Sequence, residues 1–93
     1  MRNGGFVLYF EWDEKKNRAN FRKHRVWFEE SKTVFHDPDH SGDEERFVLL
    51  GMSEKLRLLV VCHIYDESDE IIRIFSARKA NKDETKEYRR HLI

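Results

Sequence analysis

Residues 45–52, 56–65 and 70–77 are three apolar, β-branched runs separated by very short connections, and this clustering constrains the chain more than any other feature. Ser53-Glu54-Lys55 joins the first two runs, and a turn around Glu67-Ser68-Asp69 joins the last two. Connections that short make antiparallel hairpins, because a parallel pair needs a long crossover. A three-stranded meander is therefore the centre of the expected fold.

The flanking segments read as one more strand and three helices. Residues 6–12 form a short aromatic run after Asn3-Gly4-Gly5 and predict a strand. Asp13 is placed to cap a helix running to about His24. That helix has little apolar face, so a surface position is expected, with Lys16, Asn20 and His24 on one side. Trp27, Phe28, Val34 and Phe35 give residues 27–36 an apolar stripe, Glu29 and Glu30 suit the positive end of a helix, and Pro38 stops it. Residues 37–44 are a polar loop. Asn81 with Glu84 three residues on predicts a capping box opening a last helix over 82–91. The order β-α-α-β-β-β-α, with strands clustered after helices, indicates an α+β fold. At 93 residues a single domain, 1–93, is expected.

Charged residues make up 39% of the chain, but 13% aromatics argue against disorder. The formal net charge is zero, so no whole-molecule field marks a nucleic-acid binder. The charges are nevertheless segregated. Lys15, Lys16, Arg18, Arg22, Lys23 and Arg25 form a basic run, Asp37, Asp39, Asp43, Glu44 and Glu45 an acidic one, and the C-terminal quarter is basic again. Two such faces fit two different partners, and solvated helix faces look the same. Cys62 is the only cysteine, excludes an internal disulfide and is expected to be buried. With neither a signal segment nor a membrane span, a cytoplasmic protein is the default.

Side chains alternate along a strand. An economical arrangement has the helices on one sheet face and leaves Arg46, Arg57, His63 and Arg73 on the other, where several guanidinium groups would form a phosphate-binding platform. Phe75 and Tyr65 beside them are candidates for base stacking. Isolated arginines paired with surface carboxylates are the plainer alternative.

Phe10-Glu11-Trp12-Asp13, Lys16, Asn20, Lys23-His24, Val26 and Phe28-Glu29-Glu30 resemble the start of the BrnT family. Val34-Phe35, Asp37-Pro38, His40-Ser41 and Glu44-Glu45-Arg46-Phe47 resemble its middle. Gly51, Leu58-Leu59-Val60-Val61, Ile72-Arg73-Ile74, Ser76-Ala77-Arg78-Lys79-Ala80, Glu84 and Tyr88 resemble its end. The resemblance implies a RelE-like antiparallel sheet with two N-terminal helices and a C-terminal helix. It implies a type II toxin that cleaves RNA, inhibits translation and is neutralised by a small BrnA-like antitoxin in a hetero-oligomer. DNA would be bound only through the antitoxin. The chain departs from the family at Arg25 and Leu56, where glycine is usual, at Trp27, where a capping serine is usual, and in a shortened loop between Pro38 and His40.

A metal-free ribonuclease activates the substrate's own 2′-hydroxyl, so it needs fixed cations for the phosphate and a proton-transfer group, and no protein nucleophile. Arg46, Arg57 and Arg73 are the candidates for phosphate stabilisation. His40, Glu45 and His63 are the candidates for proton transfer, and Lys23, His24, Arg78, Lys79 and Tyr88 for holding RNA. No cofactor is expected. His36, Asp37, Asp39, His40 and Asp43 match no metal motif. A binding module without catalysis, such as a degenerate toxin, or a protein that only binds a partner chain, would share these features.

Overall fold

The computed structural model describes residues 9–41 and 47–92. In chain order these form β1 (Tyr9–Glu11), α1 (Glu14–His24), α2 (Phe28–Ser31), a 3-10 helix (Lys32–His36), β2 (Val48–Met52), β3 (Leu58–Asp66), β4 (Ile71–Lys79) and α3 (Lys82–Arg90). The expected α+β order is present. The helix expected over 27–36 changes to 3-10 geometry after one turn. No described helix is long and apolar enough to cross a membrane.

The strand order is β1-β4-β3-β2. β2, β3 and β4 form the expected antiparallel meander, whereas β1 lies parallel to β4, with Tyr9, Phe10 and Glu11 beside Ile71, Ile72 and Arg73. The sheet is therefore mixed rather than wholly antiparallel. Both helical segments and the hairpins lie between β1 and β4 in the chain, ample length for a parallel crossover.

The sheet has helices on both faces, which corrects the expectation of a single covered face. Leu49, Leu59, Val61, Ile72, Ile74 and Ala77 face α2 and its neighbours, around Val26, Phe28 and Val34. On the other face α3 lays Tyr88 over Leu50 and Val60. α3 covers only the part of this face around Leu50, Met52, Leu58 and Val60, so Val48, Ile64 and Arg73 remain exposed. Cys62, expected in the core, is half-buried on this partly open face.

α1 is unusual because its buried residues are two asparagines. Asn20 Nδ2 donates to the carbonyl oxygens of Ala77 (2.8 Å) and Val26 (2.9 Å), and the Ala77 amide donates back to Asn20 Oδ1 at 3.1 Å. Asn17 Oδ1 accepts from the Phe28 amide at 2.7 Å. These bonds replace an apolar stripe. The buried amides would be costly if unpaired and are matched to backbone groups that would otherwise also be unpaired.

The positions where glycine is usual in the resembling family are backbone positions that favour it. Arg25 ends α1 with φ 59°, and Leu56 has φ 61° in the β2–β3 turn while 81% exposed. Each non-glycine residue there costs about 1–2 kcal/mol. Trp27 begins α2 with no side-chain cap, as expected from the loss of serine; its ring stacks on Phe21 at 4.2 Å instead.

Candidate functional site

The two described arginines expected on one surface, Arg57 and Arg73, lie in different places. Arg57 precedes β3, and its guanidinium grips Glu30, a carboxylate only 3% exposed, while Nη2 donates to the Arg25 carbonyl at 3.0 Å. Ser53 Oγ donates to the same carboxylate at 2.7 Å. Burial pushes the Glu30 pKa up, but the hydrogen bonds from Arg57 and Ser53 outweigh it and leave the carboxyl below its ordinary range. This cluster joins α2, the end of α1 and the β2–β3 turn, so Arg57 holds the scaffold together.

His63 does not lie on the open face. Its ring is 3% exposed, meets Phe35 edge-on at 4.8 Å, and has Nδ1 3.2 Å from the Val61 carbonyl. The alternation of β3 runs opposite to the expectation: Leu59, Val61, His63 and Tyr65 face the core. Opposite Cys62 and His63 the register skips Phe75 of β4, while the alternation of β3 continues unbroken. Tyr65 is half-buried against the core, whereas Phe75 is 41% exposed.

His40 lies across the sheet from Arg73, beyond β2, close against Gly51. Tyr88 is buried and donates its hydroxyl to Asp37 Oδ2 at 2.6 Å; Met52 donates its amide to the same oxygen at 2.7 Å. Burial pushes the Asp37 pKa up, but these hydrogen bonds outweigh it and hold the carboxyl below its ordinary range. Lys23 and His24 close α1, and Lys79 closes β4 as an exposed residue. Arg46 and Glu45 lie outside the described residues.

Arg73 and Arg78 both project from β4 on the partly open face. Arg78 forms a two-pronged pair with Glu84, 2.8 and 2.9 Å, at the capping box of α3. Arg73 is 52% exposed and pairs with Glu11 of β1, its partner in the parallel register. The two arginines are five residues apart on one strand, about 16 Å along the backbone, and each is paired with a different carboxylate.

The Glu11–Arg73 pair opens into a cleft of about 230 Å³ that Trp12, Asp13, Lys16 and Phe75 also line. Lys16 Nζ stands 5.5 Å from the centroid of the Phe75 ring. Asp13 fixes this corner, because its Oδ1 accepts from the amides of Lys15 (2.8 Å) and Lys16 (3.4 Å) at the start of α1. An anion-binding guanidinium, a carboxylate that can accept a proton, a second cation and an exposed ring thus share one concavity. Sequence reasoning identified Arg73 but not Glu11 as its partner. The missing signal was the parallel register of β1, which no local pattern encodes.

Among families of known proteins, a model described as "Ribonuclease toxin, BrnT, of type II toxin-antitoxin system" matches residues 12–84. Among solved structures, the 1.1 Å crystal structure of the Brucella abortus ribonuclease toxin BrnT superposes with a TM-score of 0.62 at 20% identity, covering 82% of this chain and all of that one. At that identity the likeness is one of fold. No curated protein sequence matches the chain.

Proposed function

We propose, from the premise that this chain belongs to the BrnT family of ribonuclease toxins of type II toxin–antitoxin systems, that it cuts RNA without a metal ion at the Glu11–Arg73 pair. Glu11 takes the proton of a 2′-hydroxyl, whose oxygen attacks the adjacent phosphorus. Arg73 stabilises the charge that develops on the phosphate oxygens. The bond to the 5′-oxygen breaks, that oxygen takes a proton from solvent, and a 2′,3′-cyclic phosphate remains. Arg73 and its carboxylate partner Glu11 are both about half exposed and both line one cleft, and this observation carries the assignment. An exposed ion pair is weak, so a substrate phosphate can take Glu11's place on the guanidinium.

Arg78 and Lys79, further along β4, contact phosphates on either side of the cut, with Lys23 and His24 at the adjoining end of α1. In the cell the toxin is cytoplasmic and is held inactive by a BrnA-like antitoxin in a hetero-oligomer that meets DNA through the antitoxin.

Purified chain incubated with end-labelled RNA in excess chelator tests the reaction. Cleavage with cyclic-phosphate ends is expected, together with resistance of a substrate carrying a single 2′-deoxy substitution at the cut position. Absence of cutting by a sample that is folded by circular dichroism overturns the proposal, as does cutting that continues undiminished in Arg73→Ala.

A further inference from the structure

The cleft beside the Glu11–Arg73 pair holds more than the reaction needs. Phe75 is a large apolar ring left 41% exposed at the register irregularity of β4, where Cys62 and His63 pair with Ser76 and Ile74 and skip Phe75. Lys16 lies in the first turn of α1, the positive end of the helix, where a cation is disfavoured. Its ammonium sits over the Phe75 ring, a contact that partly offsets that penalty. The two side chains therefore hold each other at the mouth of the cleft, an exposed ring beside a cation.

The geometry points to a single-nucleotide subsite in this cleft: an unpaired purine base stacked on Phe75, with its phosphate held by Lys16, next to the Glu11–Arg73 pair. This inference rests on the reading of the chain as a ribonuclease and adds the base that it selects beside the cut. The volume, about 230 Å³, is below the roughly 300–1,000 Å³ of sites for drug-sized ligands and suits one base. Stacking on an aromatic ring is sequence-tolerant but grows with the π-surface covered, so a purine is favoured over a pyrimidine. Single-stranded RNA is the substrate form that presents such a base, because a duplex keeps its bases stacked on one another.

Trp12 lines the same cleft and reports on it directly. The chain has two tryptophans, and Trp27→Phe leaves Trp12 as the only one while keeping an aromatic partner for Phe21. In that background, adenosine 3′-monophosphate is expected to quench Trp12 saturably, and uridine 3′-monophosphate to bind several-fold more weakly. Phe75→Ala is expected to weaken the adenosine nucleotide about tenfold and Phe75→Tyr to restore it. Lys16→Ala is expected to weaken both nucleotides and to flatten their salt dependence. Unchanged affinity in a folded Phe75→Ala variant, or no saturable quenching by adenosine 3′-monophosphate, overturns the subsite. RNA cutting without nucleotide quenching would sink the subsite and spare the ribonuclease reading. Quenching that depends on Phe75 in a chain that does not cut RNA would do the reverse.

Discussion

Asn20 and Ala77 exchange hydrogen bonds in both directions, so a helix side chain completes the pairing of β4 where the shorter β1 has ended. An amide side chain is matched to this position because, like a peptide group, it offers one donor and one acceptor side by side.

Asn20→Ala should therefore destabilise the protein by about 2–4 kcal/mol, since the Ala77 amide and the carbonyls of Ala77 and Val26 lose their partner in a buried site. Asn20→Asp should be no better, because a carboxylate cannot donate to either carbonyl. Urea unfolding at pH 7 measures both. A loss below about 0.5 kcal/mol, the level of an ordinary surface substitution, would refute the role.

Removing Arg57 leaves the Glu30 carboxylate buried without its cation. Arg57→Ala is expected to cost about 2–4 kcal/mol, less than for a fully enclosed pair because the Arg57 side chain is partly exposed. The folded Glu30 pKa lies below its ordinary 4.5, so its contribution is present above that pH and is lost as pH falls through the folded value. The gap between wild type and Glu30→Gln should consequently narrow in unfolding curves taken below about pH 4.5. A gap that widens in acid would contradict this assignment.

Tyr88→Phe removes the hydroxyl that Asp37 accepts and nothing else of the packing of α3. A loss of about 1.5–3 kcal/mol is expected at pH 7, in the range of a hydrogen bond to a charged group. Without that bond the Asp37 pKa moves back towards its ordinary 3.8, so the variant has less carboxylate-linked stability to lose in acid. The two proteins should therefore converge as pH falls below 3.8. Chemical denaturation from pH 7 down to pH 3 checks the convergence.

Arg73→Ala should reduce the RNA cleavage rate about 10²–10³-fold, the scale of losing one charge-stabilising donor. Glu11→Gln should reduce it about 10²–10⁴-fold, the scale of losing a general base, while leaving RNA binding nearly intact. Arg78→Ala should weaken binding instead and lower the salt slope by about 1. Single-turnover rates and binding measured across a salt series separate the three. Equal effects of Arg73→Ala and Arg78→Ala on the rate would count against a reaction centre at Arg73.

Much of this architecture is legible in the residues. Asp13 and the Asn81–Glu84 box mark helix starts because capping is local chemistry. The meander is legible because its turns are short. The face of β3 that enters the core is not, since both of its faces are largely apolar. His63 shows the consequence: its type suggested chemistry, but its place on the strand made it part of the core. The inward side of α1 is hidden for a related reason, because hydropathy cannot distinguish a buried asparagine paired with backbone from one in water. Glu11 escaped notice because its partner lies 62 residues away in the chain.

That separation also sets a timetable. β1 is synthesised well before the strand beside which it must lie, because 62 residues separate Glu11 from Arg73. At about 5–20 residues per second, roughly 3–12 s of synthesis separate Glu11 from Arg73. Throughout that interval the growing chain has one half of the pair and cannot assemble the other. Under the proposed mechanism, a nascent or truncated product that stops before β4 lacks Arg73 and cannot yet cut RNA, a delay written into strand order rather than into any inhibitor.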